Sequence, residues 1–205
     1  MFLSINQKGR TVKNLFYSDV RINRVSGDVL SIGTMLFSVL HGIFKSNEGK
    51  YALALPSIRT GDTVRHPGSI FRVFYENEDE GNRLFLLLTG HKSLGDKIAV
   101  SPRPIPVPSD FSGEWAEYRR FRIPSRKSTM LRDSMGNRSG ITTSLRIKRM
   151  NLAESLPFFR FNSKSTGQAF SLHIEQREGT PGEVFSPDGF GLSSETRSFA
   201  LPVLG

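Results

Sequence analysis

The chain has 205 residues, no cysteine and four histidines, with a net charge of +9 and a pI near 10.2. At 37% hydrophobic and 23% charged residues it has the make-up of a globular chain with a buried core rather than a disordered one. The missing cysteines exclude a disulfide framework and any cysteine-ligated metal centre, and His41, His66, His91 and His173 do not pair at metal-ligand spacing.

Residues 15–23 (LFYSDVRIN) read as a strand. A helix over residues 29–45 follows, because Ile32, Met35, Leu36, Val39, Leu40 and Ile43 form one apolar stripe. Asn47 and Gly49 provide a turn into residues 51–55 (YALAL), a strand closed by Pro56. Residues 70–75 (IFRVFY) alternate as another strand, 82–89 suit a short helix, and 98–107 are extended with prolines that fit a sheet edge. This β-α-β-β-α-β order is that of a ferredoxin-like unit. The expected fold class is therefore α+β. A ferredoxin-like domain would span residues 1–110, and a smaller, irregular basic domain 111–205, with prolines and turn signals over 102–113 as the linker. In the second half, 118–123 (YRRFRI) read as a strand, 135–140 as a loop and 145–152 as a short basic helix. Residues 158–162 and 169–175 read as a strand pair, and a Gly/Pro/Ser-rich tail carries the short element 189–193.

Charge is concentrated. From Glu114 to Arg149 stand Arg119, Arg120, Arg122, Arg126, Lys127 and Arg132, then Arg138, Arg146, Lys148 and Arg149. Only Glu114, Glu117 and Asp133 oppose them, so this stretch holds +7 of the net +9. A basic segment of that density favours a polyanion, and nucleic acid before a merely solvated face. No apolar run approaches the roughly 20 residues that cross a bilayer, and no signal-peptide pattern opens the chain. A cytoplasmic protein without a membrane partner is expected.

The sequence has no P-loop and no convincing metal-ligand set, so no cofactor is expected. A histidine with a hydroxyl partner is the simplest remaining machinery. RNA makes it sufficient, since the 2′-hydroxyl attacks the adjacent phosphate once a base removes its proton, and imidazole titrates near working pH. On spacing alone, His41 is more commonly a helix-boundary residue, and the polar loop 163–168 more commonly a hairpin turn.

Three segments carry a resemblance. Leu156-Pro157-Phe158-Phe159 is followed by Ser163-Lys164-Ser165-Thr166-Gly167-Gln168-Ala169-Phe170, and then by Gly189-Phe190-Gly191-Leu192-Ser193. Residues 35–44 (MLFSVLHGIF) and 51–56 (YALALP) add a match in the first half. Together these resemble the repeat-processing endoribonucleases of subtype I-F CRISPR systems, the Csy type. The resemblance implies a ferredoxin-like domain with a smaller RNA-binding region and a stem-loop of CRISPR repeat RNA as partner. It implies metal-independent cleavage at the 3′ base of the hairpin, leaving a 2′,3′-cyclic phosphate and a 5′-hydroxyl. His41 would be the general base and Ser163 would hold the 2′-hydroxyl. Ser165 and Thr166 would bind the ribose or phosphate, with Gln168 beside them in the same loop, and Phe170 would stack at the foot of the stem. Such an enzyme stays on its product and joins other Cas subunits in the guide complex.

The sequence departs from that family's pattern in two places. Phe190 stands where the family commonly has a tyrosine, so a less firmly oriented His41 and slow turnover are expected. The family's arginine-rich helix is thin here, with only Arg132 and Arg138 between residues 130 and 140. Groove binding would pass to Arg119, Arg120, Arg122, Arg126 and Lys127, helped by Arg146, Lys148 and Arg149, with Arg120 and Arg122 as base-edge readers. The alternative is a non-catalytic hairpin-binding subunit of the same ribonucleoprotein.

Overall fold

A computed structural model describes residues 14–24, 27–123, 141–162, 167, 169–182, 185–194 and 196–205. Arg126, Lys127, Arg132, Ser163, Ser165, Thr166 and Gln168 lie outside the described residues, as does the expected loop at 135–140.

The chain is α+β, with two antiparallel sheets and, among the described residues, three α-helices. The first half runs β1 (Phe16–Ile22), α1 (Val29–Ser46), β2 (Ala52–Ala54), β3 (Ile70–Tyr75), α2 (Glu78–Thr89) and β4 (Ile98–Val100). Its strands lie in the order β2-β3-β1-β4, all antiparallel. Within the stretch read as a linker, β5 (Ile105–Pro106) also pairs with β1. The second sheet has the order β7-β8-β6-β9, built from β6 (Trp115–Phe121), β7 (Phe158–Asn162), β8 (Ala169–Gly179) and β9 (Leu201–Pro202). Helix α3 (Ile141–Ala153) leads into β7.

Local chemistry explains the boundaries. Asp28 caps α1, its carboxylate accepting from the backbone N–H of Leu30 and Ser31 at 3.3 and 2.9 Å. Helix α2 begins four residues earlier than the apolar pattern suggested. Asn77 caps it, and Glu78, Asp79 and Glu80 occupy its first turn, where the helix dipole favours negative charge. Strand β8 runs past the alternating segment because Gln176, Arg177 and Glu178 pair by backbone with Tyr118, Glu117 and Ala116.

One hydrophobic cluster crosses both sheets, and α1 lies at its centre. Ile32, Leu36, Phe37, Leu40 and Phe44 are buried. Phe37 packs on Phe159 of β7 at 4.6 Å between ring centres, and Phe71 of β3 packs on the same Phe159 ring at 5.7 Å. By length and mean hydropathy (1.4 over 18 residues) α1 alone would pass for a membrane span, which the run-length reading overlooked. A core helix passes the same test, and this one packs on both sheets.

A second tie is polar. Arg72 of β3 donates to both Asp19 carboxylate oxygens, at 2.7 and 3.1 Å, directly across the β1–β3 pair. It also donates to the Leu204 carbonyl at 2.7 Å and lies over the Tyr17 ring. Burial works against its charge, but the Asp19 bonds outweigh that and hold the guanidinium above its ordinary pKa. A buried pair satisfied this fully costs about 3–5 kcal/mol to break from one side.

His173 of β8 sets a pH response. Burial pushes its pKa down and Arg65 adds to this, against smaller upward pulls from the Leu156 and Ala153 backbone; among the described residues Nδ1 has no hydrogen-bond partner. Burial likewise lowers His66. A histidine depressed in the fold binds fewer protons folded than unfolded, so stability is lost as pH falls through and below the free value of about 6.5. The melting temperature is expected to drop from pH 7 to pH 5, and His173→Asn to flatten that slope in thermal melts.

Candidate functional site

The loop over residues 188–193 places the chemistry. Asp188 accepts the backbone N–H of Phe190 and of Leu192 on one oxygen, Oδ1, at 2.8 and 3.0 Å. The loop is stitched to β2 by the Leu53 N–H donating to the Gly191 carbonyl (2.7 Å), and to β6 by the Ser193 N–H donating to the Tyr118 carbonyl (2.8 Å). Gly191 has φ +73°, and a Cβ there would lie 2.6 Å from the Phe44 ring, so only glycine fits.

This loop holds the imidazole of His41, which stands half-buried on α1. His41 Nδ1 lies 2.6 Å from the Gly189 carbonyl oxygen. A carbonyl only accepts, so Nδ1 carries the proton, and in the neutral ring the Nε2 lone pair is left to take another. The Phe190 ring lies parallel to the imidazole, 4.0 Å away and tilted by 3°. The expectation of a poorly oriented His41 is therefore corrected. Backbone and ring plane together supply what a tyrosine hydroxyl does not.

Phe190 joins this histidine to the basic surface. The Arg120 guanidinium lies 5.1 Å from its ring centre. Arg120 lines a cavity of about 710 Å³ with Arg119 of the same strand, Arg122 just past its end, and Arg149 of α3. Arg177 and Arg197 face the same space, and Glu48, Glu175 and Asp188 are the acidic members among the described residues. Burial and the neighbouring Arg122 push the Arg120 pKa down, against a smaller pull upward from Asp188. An incoming anion would relieve that stress.

The arginines differ in how far they are already engaged. Arg119 pairs with Glu117 at 2.5 Å and donates to Ser198 at 2.9 Å, so it braces the site wall. Arg149 lies over the Phe121 ring at 4.7 Å, with its Nε buried and, among the described residues, without a partner. Arg146 is half-buried on the same side of α3. Lys148 turns elsewhere, beside Ile147 and Leu152, and the structure does not bring it to the cavity.

Phe170 is 41% exposed on β8, opposite Phe161, with ring centres 5.4 Å apart. Phe161 packs on Phe37, and Phe37 reaches Phe190. A continuous run of rings thus connects the exposed aromatic to His41. The reading of residues missed the Gly189 carbonyl, Asp188, Arg177 and Arg197. The Asp-Gly pair at 188–189 was the available signal for a side-chain-braced turn.

The site sets a half-buried imidazole one ring away from an arginine-lined cavity, an arrangement suited to a phosphodiester chain. Residues 19–203 match the family described as CRISPR-associated protein (Cas_Csy4), and the chain belongs to that family. It is a CRISPR-associated repeat-RNA endoribonuclease, and CRISPR repeat RNA is what it binds and processes. A comparison with curated proteins found no match.

Asp188→Ala is expected to slow RNA cleavage about tenfold or more through loss of the turn. Asp188→Asn, which keeps an accepting oxygen, restores most of the rate in single-turnover assays. Equal defects in both variants would refute the bracing role.

Proposed function

We propose that the chain recognises the stem-loop of repeat RNA, cuts it at the 3′ base of the stem without a metal ion, and stays on its product as a subunit of the guide complex. One observation carries this reading: the Gly189 carbonyl fixes the His41 proton on Nδ1 and leaves Nε2 basic, beside a ring that also holds Arg120.

Nε2 takes the proton of the 2′-hydroxyl, and the 2′-oxygen attacks the adjacent phosphorus. The bond to the 5′-oxygen breaks, and that oxygen leaves as a hydroxyl on taking up a proton. One proton has then passed in net from the 2′-oxygen to the 5′-oxygen, and the upstream product ends in a 2′,3′-cyclic phosphate. Ser163 orients the nucleophile, and Ser165 and Thr166 hold the ribose or phosphate. The β7–β8 pairing ends at Asn162 opposite Ala169, beside the Phe161–Phe170 stack, which supports placing that loop at the cut. Phe170 offers an exposed face for the last base pair, and Arg120 and Arg122 read base edges in the groove. Each bidentate arginine contact would discriminate by about 1–3 kcal/mol.

The same reading takes residues 1–110 as a ferredoxin-like unit and 111–205 as the RNA-binding region. The β-α-β-β-α-β order and the strand order β2-β3-β1-β4 support the first assignment.

His41→Ala is expected to abolish cleavage while hairpin affinity stays within about threefold, since the arginines carry the binding. Wild-type and variant proteins that leave the hairpin equally intact would mark a binding subunit instead. Cleavage is expected to persist at full rate in excess EDTA, and its loss there would overturn the metal-free mechanism.

A further inference from the structure

A second cavity, also about 710 Å³, lies between the first turns of α1 and strand β7. Thr34, Arg65, Phe158, Arg160 and Asn162 line it with Leu30 and Ser31; none of these is acidic, and the nearby Asp28 carboxylate is engaged by Ser31 and the first turn of α1. It shares no lining residue with the arginine cavity beside Phe190. Side chains alternate along β7, so Phe159 and Phe161 turn to the aromatic core while Phe158, Arg160 and Asn162 present the opposite face.

The wall is built for a base and a phosphate. Arg65 lies over the Phe158 ring at 5.5 Å and is fixed there by donating to the Glu154 carbonyl. Ring and guanidinium together make a stacking surface. Arg160 is exposed, and no carboxylate among the described residues pairs with it. The Thr34 hydroxyl and the Asn162 amide add hydrogen-bonding groups.

The cavity also lies along the helix that carries His41. Thr34 stands on the same stripe of α1 as Phe37 and His41, about 10 Å along the helix from the imidazole. Asn162 immediately precedes Ser163 in the chain. Toward the stem, His41 is continuous through Phe190 with Arg120, and in the other direction the stripe leads to Thr34. A short run of extended single strand covers that distance.

The geometry points to this cavity as a subsite for the single-stranded RNA on the 3′ side of the cut, the part of the substrate that leaves. Arg160 takes a phosphate, and the Phe158–Arg65 surface takes a base. This inference rests on the proposed cleavage at the stem base. The subsite is used by the precursor and is empty in the product complex, so it favours binding of uncut RNA without adding to product retention.

Three hairpins with a 2′-deoxy scissile ribose test this. One ends at the cut, one carries a 3′ flank of a few nucleotides, and one carries a 5′ flank instead. Wild-type protein is expected to bind the 3′-flanked RNA about fivefold or more tighter than the trimmed hairpin. Arg160→Glu, at an exposed position, removes that difference and leaves the trimmed hairpin within about twofold of wild type. A flank that adds nothing to wild-type binding, a gain from the 5′ flank instead, or an equal loss on all three RNAs overturns the subsite. Failure of the wild-type protein to bind the trimmed hairpin overturns the functional reading itself, and the subsite with it.

Discussion

The packing of Phe37 against Phe159 is the contact on which the site's geometry depends. It joins the helix that carries His41 to the sheet that carries the basic surface. Phe37 is 1% exposed and meets Phe159, Phe161 and Phe190, while Phe71 reaches Phe159 from the first sheet. Aromatic rings of this size bury much area and have few rotamers, so they fix distances as well as supply energy. With the helix seated, a loop from the other end of the chain closes over His41. The Asp19–Arg72 pair and its bond to the Leu204 carbonyl hold the last residues to the first sheet.

The electrostatics are arranged for a partner that brings negative charge. Arg120 is partly desolvated and close to Arg122, so its charge is at a disadvantage in the free protein. Such a site gives up little to bind phosphates, because the repulsion already present is relieved on contact. Glu117 and Asp188 do different work at its edge. Glu117 immobilises Arg119, and Asp188 shapes the turn beneath the imidazole. Acidic residues within a basic surface here order their neighbours rather than compete with the ligand.

Much of the frame was readable in the sequence. The stripe of α1 and the strand character of β1, β3 and β7 are local patterns; burial alternates along β7, whereas β3 is buried on both faces from Phe71 to Tyr75. The start of α2 was not, because its first turn is acidic and holds Gly81, which reads as a turn. The charged end of β8 was missed since its pairing is through the backbone and leaves no apolar trace. In the site, the arginines of β6 stood out by residue type and His41 only by the resemblance of residues 35–44, since a lone histidine beside an apolar stripe reads as a boundary residue. The Gly189 carbonyl did not, because a main-chain oxygen carries no side-chain signature and meets its partner across 148 positions. Phe190 was seen as a lost hydroxyl, whereas its parallel contact with the imidazole depends on where the loop lands.

That span of 148 positions has a bearing on the newly made chain. In a polypeptide still leaving the ribosome, Arg119, Arg120 and Arg122 emerge before the strands that pair with β6 and before the loop that meets His41. Until residues 188–193 have emerged and docked, its imidazole faces water instead of the Gly189 carbonyl, and neither ring nitrogen is singled out to carry the proton. The loop at 188–193 thus sets the orientation of His41 late, well after the basic stretch of β6 has left the ribosome.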